Sequence, residues 1–176
     1  DRAVSVSSVA VRKVEAQLGT LTGKTLAVVG LGEAGRLVVK LLGSRPGVEL
    51  LLVNRTLEIA TAQAERLGAE ALPFSDLPTV LSRSDAVFTC TGCPYPLIEA
   101  AHVRQTLESR PERPLVLVDL AVPHDIDPAV SEVPGVTHYD VDSMQVEISE
   151  SLSLRQKAVP EVEVILAQEL ARIALG

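Results

Sequence analysis

The stretch "TLAVVGLGEAGRLVVKLLG", Thr25–Gly43, reads as three pieces in series: an apolar run, a Gly-x-Gly-x-x-Gly turn and an amphipathic segment. The run is short and bounded by glycine, which predicts a buried strand over Lys24–Val29. The segment after the turn predicts a helix that ends near Gly43. Each glycine has its own physical task. Gly30 permits the tight turn, Gly32 lets the backbone approach a pyrophosphate, and Gly35 lets the helix pack closely on the sheet. A helix starting there presents free N–H groups and a partial positive charge to phosphates. Glu33 and Ala34 complete the turn, and Glu33 places an anion where an anion is expected to bind. The plainer alternative is a glycine turn needed only for backbone geometry.

The next stretch, "VELLLVNRT" (Val48–Thr56), qualifies that reading. It predicts a second strand over Val48–Val53. At its end, where a carboxylate would bond the ribose hydroxyls of NAD, stands Asn54. A carboxylate there would repel the 2′-phosphate of NADP, and Asn54 removes that repulsion. Arg55 offers a charged, forked donor to phosphate. Thr56 adds a hydroxyl and the expected N-cap of the following helix. The expected cofactor is therefore NADPH rather than NADH, with a solvated surface arginine as the plainer reading of Arg55.

The rest of the chain alternates in the same way. Val4–Leu18 predicts a helix closed by Gly19, and Gly68 closes the helix after Thr56. "AEALP" predicts a third strand, "SDLPTVLSRS" a short helix and "DAVFTCTG" a fourth strand with its loop. "LIEAAHVRQTLES" predicts a helix, "PLVLVDLAVP" a fifth strand ending at Asp119, and "VTHYDVDSM" a sixth strand. From about Gln145 to Leu175 the pattern is helical, with Val159, Val162, Leu166, Leu170 and Ile173 on one stripe and Pro160 splitting it in two. Strands alternating with helices predict an α/β fold, a doubly wound, Rossmann-like parallel sheet with right-handed crossovers. The expected organisation is a junction helix over residues 1–19, a nucleotide-binding domain over 20–144 and a helical segment over 145–176. Loops after the strands gather at one edge in such a sheet, where ligands bind. That gives Thr91 and Gly92, after the fourth strand, a place along the ribose and nicotinamide. Ala121, Val122 and Pro123, after the fifth, would form an apolar wall for the nicotinamide face. Structural turns are the alternative at both loops.

Composition narrows the classes. The chain has 176 residues, 47% of them hydrophobic and only 2% aromatic, so its core is aliphatic. That suits a parallel sheet covered on both faces. A net charge of −7 argues against a broad nucleic-acid-binding surface, though not against a local RNA contact. No apolar run reaches the length of about 18 residues that a membrane helix needs. "DRAVSVSS" is not a signal peptide and carries no initiator Met, which reads as a piece of a longer chain in a reducing, cytoplasmic compartment. Cys90 and Cys93 form C-T-G-C, but no helix N-terminus follows directly, which disfavours a thioredoxin-like pair. "H-D-I-D" at His124 lacks a second ligand cluster at a familiar spacing, so no metal site is assigned. Asp125, Asp127 and Pro128 are expected to form a turn and a helix cap. His102 and His138 are read as surface or core residues. No residue is assigned as catalytic.

Taken in order, "SVSSVAV", "VVGLGEAG", "VNRT", "TCTGCPYPLI", "VDLAVPHDIDP" and "GVTHYDVDSM" resemble the NADPH-binding domain of the glutamyl-tRNA reductase family over nearly the whole chain. Asp119–Pro128 is the most specific part. The family more often has arginine where this chain has His124. The nucleotide domain is similar in fold to that of shikimate dehydrogenase, which shares the "NRT" type of motif. Glu33 is similar to the family's G-x-G-E, which implies a side chain turned from the phosphates toward a neighbouring domain.

The resemblance implies a dimeric enzyme of tetrapyrrole (porphyrin) biosynthesis. A separate N-terminal domain would bind glutamyl-tRNA and carry a nucleophilic cysteine. A spinal helix would lead to a dimerisation region, and glutamate-1-semialdehyde aminotransferase would be a partner. Cysteine attack on the aminoacyl ester would form a thioester, and hydride from NADPH would reduce it to glutamate-1-semialdehyde. Cys90 and Cys93 do not match that nucleophile, so the chain alone is expected to be inactive. Two rivals stay open. A shikimate-dehydrogenase-type fragment would need a substrate domain with a lysine–aspartate pair, and a non-catalytic NADP(H)-binding regulatory module would need none.

Overall fold

The computed structural model describes residues 2–158, with side chains placed over 6–150. The order is α1 (Arg2–Leu18), β1 (Thr25–Val29), α2 (Glu33–Gly43), β2 (Glu49–Val53), α3 (Leu57–Leu67), β3 (Glu70–Leu72), α4 (Leu77–Arg83), β4 (Ala86–Thr89), α5 (Ala100–Glu108), β5 (Leu115–Asp119), β6 (Val136–Asp140) and α6 (Val141–Ala158). Short 3₁₀ turns stand at Phe74–Asp76 and Pro128–Glu132. All six strands are parallel in the order β3-β2-β1-β4-β5-β6. The strand order reverses between β1 and β4, as expected of a doubly wound sheet.

Alternation along the strands feeds two cores. Leu26, Val28, Leu52 and Phe88 face α1, α2, α3 and Met144 of α6. Ala27, Val29, Leu51 and Val87 face α4, α5 and the 3₁₀ turn of Pro128–Glu132. Both faces are covered, so β1 and β4 read as continuous apolar runs. Val6, Ala10, Val11 and Val14 of α1 belong to the first core and are all buried, so this helix is part of the packed body. Gly19 follows α1 with φ +82° and donates to the Glu15 carbonyl at 2.9 Å.

Two helix starts and one cap differ from the sequence expectation. The helix expected from Leu97 starts at Ala100, because the Leu97 and Ile98 amides both donate to the Asp125 carbonyl and Ile98 pairs with Ile126 as an isolated parallel bridge. The helix expected from Gln145 starts at Val141. Asp140 Oδ1 accepts from the Ser143 amide at 2.8 Å, and the Asp140 amide donates to Ser143 Oγ at 3.3 Å. This reciprocal cap starts the helix directly from the end of β6. Thr56 stands at the N-cap of α3, but its hydroxyl makes no capping bond. The Pro160 break and the stripe from Val159 to Ile173 lie outside the described residues.

Candidate functional site

The carboxyl ends of β1, β2, β4 and β5 carry the glycine turn, the Asn54–Thr56 turn and the Thr91–Cys93 and Ala121–Pro123 loops. Gly30 has φ +96°, and a Cβ on it would stand 2.9 Å from both the Cys90 carbonyl carbon and Thr91 Cγ2. A Cβ on Gly35 would collide with the Gly30 carbonyl oxygen, so the helix lies directly against the turn. Gly32, the N-cap of α2, has nothing within 4 Å of a virtual Cβ. Two glycines are thus filled in by protein, and the third faces open space. This is the division of labour that a pyrophosphate cradle requires.

Asn54 does more than remove a charge. Its Oδ1 accepts from the Leu31 amide at 3.0 Å, and its Nδ2 donates to the Thr56 carbonyl at 3.1 Å. It therefore ties the glycine turn to the turn after β2. Arg55 is exposed, and its Nη2 lies 3.3 Å from Cys93 Sγ. Its guanidinium thus reaches from the end of β2 to the loop after β4. Sequence reading missed Arg36, whose Nε donates to the Leu31 carbonyl at 2.9 Å and sets a second cation beside the glycine turn. Glu33 is exposed at the first position of α2, and Ala34 is half-buried.

The β4 and β5 loops meet. Gly92 has φ +63°, and a Cβ there would stand 3.2 Å from the Val122 carbonyl oxygen. The Val122–Pro123 peptide is cis. Val122 is 78% exposed and Pro123 is exposed as well, whereas Ala121 is buried. The exposed part of the apolar wall is therefore Val122–Pro123. Thr91 spends its hydroxyl inside the protein, on Asp125.

Asp125 corrects the turn-and-cap expectation. Asp127 does cap the 3₁₀ turn, accepting from the Ala129 amide at 3.0 Å. Asp125 instead is fully buried and accepts from the Thr91 and Cys93 amides. Asp119, also fully buried, accepts from the Ala121 amide at 3.0 Å and the Ile126 amide at 2.9 Å. For Asp119 the signal was a carboxylate inside an otherwise apolar stretch, since such groups are buried only when hydrogen-bonded; Asp125, between His124 and Asp127, carried no such signal.

The fold brings Asp140 and Asp142 to His124, their ligand-type atoms lying within 4.8 Å of one another. His124 stands 3.5 Å from Asp119 and 3.6 Å from Asp142, and Asp140 Oδ1 is occupied in capping α6. Both cysteines are free. Desolvation, with Asp125 and Asp119 nearby, pushes the Cys90 thiol well above its ordinary range. That leaves it protonated at neutral pH, the opposite of a redox-active thiolate. A groove of about 430 Å³ lined by Arg104, Leu107, Arg110, Arg113 and Pro134 lies at the opposite, amino-terminal end of the strands.

Fold and site together define a nucleotide-binding domain of the dehydrogenase type. The chain belongs to the shikimate / quinate 5-dehydrogenase family, whose model matches residues 12–147. Its sequence is 39% identical to glutamyl-tRNA reductase of Methanopyrus kandleri over 97% of this chain and 43% of that protein. The structure of that enzyme superposes with a TM-score of 0.77. The nucleotide-binding domain of glutamyl-tRNA reductase from Thermoplasma volcanium, 20% identical, gives 0.64 over 87% of this chain and 97% of that one. A shikimate dehydrogenase solved in complex with NADP+ is 18% identical and gives 0.53 over 81% of this chain and 52% of that one. The resemblance to glutamyl-tRNA reductase is thereby borne out. The shikimate dehydrogenases are more distant. The chain spans less than half the length of the curated reductases it matches.

Proposed function

We propose that this chain is the NADPH-binding domain of a glutamyl-tRNA reductase. Within the longer enzyme it would supply hydride to a glutamyl thioester formed on another domain, giving glutamate-1-semialdehyde. The observation that carries the cofactor assignment is the turn after β2. A neutral Asn54 is fixed by two hydrogen bonds beside an exposed Arg55. A carboxylate there would favour NAD, whereas an amide with an adjoining guanidinium favours the 2′-phosphate of NADP. The open face of Gly32 and the nearby Arg36 fit the pyrophosphate. When bound, the cofactor supplies the hydride. The chain's own residues bind and orient it, and the reacting cysteine and tRNA contacts belong to other parts of the enzyme.

In this reading residues 1–19 and 145–176 join the domain to its neighbours in a dimer. Glutamyl-tRNA and an aminotransferase are partners of the whole enzyme, and the compartment is a reducing cytoplasm. No helix among the described residues is long and apolar enough to cross a membrane. The test is calorimetric titration with NADPH and NADH, repeated on Arg55→Ala. We expect NADPH to bind the native chain more tightly than NADH. Loss of one charge-assisted contact should weaken NADPH about tenfold or more and leave NADH unchanged. Equal binding of both nucleotides to the native chain would refute the assignment.

A further inference from the structure

Two loops flank the nicotinamide side of the switch point, and one carboxylate with no solvent contact joins them. Asp125 Oδ2 accepts from the Thr91 amide at 2.7 Å. Its Oδ1 accepts from the Cys93 amide at 3.2 Å and from the Thr91 hydroxyl. Its carbonyl accepts from the Leu97 amide at 2.6 Å and the Ile98 amide at 3.1 Å. Both ends of the segment Thr91–Ile98 therefore hang on a single residue of the β5 loop. Asp119 anchors that loop in turn through the Ala121 and Ile126 amides. A buried carboxylate is costly unless its lone pairs are used. Here they are used on the backbone of the loop opposite and on the Thr91 hydroxyl.

Topology says which half of a dinucleotide these loops serve. The β1–β3 half carries the glycine turn, Asn54 and Arg55, and so takes the adenosine side. The β4–β6 half lies across the reversal of strand order and takes the nicotinamide mononucleotide. We propose that Asp125 is the positioning residue of the nicotinamide half. It holds the Thr91–Gly92–Cys93 backbone against Val122–Pro123 as a preformed platform and does not itself touch the nucleotide. The close approach of Gly92 to the Val122 carbonyl is the product of that hold. This rests on the nucleotide-binding assignment above and adds to the exposed Arg55 a determinant of another kind, one that is buried.

The test separates the two halves of the site. The native chain, Asp125→Asn and Thr91→Val are titrated with NADPH and with 2′,5′-ADP, which carries the adenosine half and its 2′-phosphate without nicotinamide. An asparagine accepts on one side only and turns an NH₂ toward a buried donor, so one loop amide loses its partner. NADPH should weaken about tenfold in Asp125→Asn, the size expected for one unsatisfied buried group, while 2′,5′-ADP changes less than about twofold. Thr91→Val removes the hydroxyl's bond to Asp125 and the bond it accepts from the Cys93 amide at 3.2 Å, but leaves the carboxylate's bonds to both loop amides, and should give a smaller loss of NADPH with the same selectivity. A merely structural carboxylate would weaken both probes together or neither, and either result overturns the proposal. So does a native chain that binds 2′,5′-ADP as tightly as NADPH. If Asp125→Asn does not fold, an unchanged NADPH to 2′,5′-ADP ratio in Thr91→Val overturns it. If the native chain binds neither probe, the nucleotide assignment itself falls, and this inference with it.

Discussion

Gly35→Ala and Gly32→Ala should fail in opposite ways, although they alter the same turn by the same methyl group. At Gly35 the added Cβ collides with the Gly30 carbonyl oxygen, and Val28 Cγ1 is 3.7 Å away. Alanine has the better helix propensity, worth up to about 1 kcal/mol. The clash outweighs this. The obstacle is backbone rather than a flexible side-chain tip, and such overpacking costs about 1–3 kcal/mol or more, since α2 must lift from the sheet. Net destabilisation of about 2 kcal/mol is expected, a fall of roughly 4–8 °C in Tm for a domain of this size.

At Gly32 the Cβ meets nothing within 4 Å, and the residue has φ −75° and ψ −159°. Alanine is a poorer N-cap than glycine, but it also lowers the entropy of the unfolded chain. The two effects leave stability within about 1 kcal/mol of the native chain. The methyl group then stands in the space assigned to the pyrophosphate, and NADPH affinity should fall by at least about tenfold. Urea denaturation and NADPH titration on both variants check the pair. A Gly35→Ala chain as stable as the native one would refute the packing argument. A Gly32→Ala chain that binds NADPH normally would refute the cradle.

Other consequences are checkable separately. Arg110 is 8% exposed and donates to the carbonyls of Leu81, Ser84, Arg113 and Pro114. Arg110→Ala should cost about 3 kcal/mol in urea denaturation, and Arg110→Lys should rescue little of it, because a single ammonium cannot serve a forked set of acceptors. Burial pushes the His138 imidazole below its ordinary range, against the pull of Asp140 and Asp119. Its folded value is below its unfolded one, so its contribution is full above about pH 6.5 and is lost as pH falls below that. Stability measured at pH 7.5 and 5.5 should differ less in His138→Gln than in the native chain. Burial raises the Asp85 carboxyl, but hydrogen bonds from Arg113 and the Thr25 amide outweigh it and leave the group below the ordinary carboxylate range. That contribution is present above about pH 4 and is lost on further acidification, so Arg113→Ala should flatten the acid limb of a pH–stability curve. Cys90 should resist iodoacetamide at pH 7.5 in the folded chain and react after unfolding, as mass spectrometry would record.

The amino-acid sequence by itself determined the alternation of strands and helices, the glycine turn and the exchange of a carboxylate for Asn54–Arg55. These are local signals. Apolar runs of strand length, glycines at fixed offsets and polar residues at strand ends act within one βαβ unit, so their meaning survives without knowledge of distant neighbours. The helix starts at Ala100 and Val141 were displaced by contacts from elsewhere in the chain or by a cap at the end of a strand. The roles of Asp119 and Asp125, the link from Arg55 to Cys93 and the meeting of Gly92 with Val122 were decided only by tertiary structure. Apart from Asp119, whose amide partners lie in its own loop, each joins residues far apart in the chain, and a parallel sheet makes such meetings unavoidable, because every strand must leave and return before its carboxyl end can stand beside its neighbour's. Asp125 shows the difference. By local rules it is one more turn-forming aspartate in a polar loop. In the folded sheet its carboxylate lies between two loops, and burial requires that every bond it makes be with one of them.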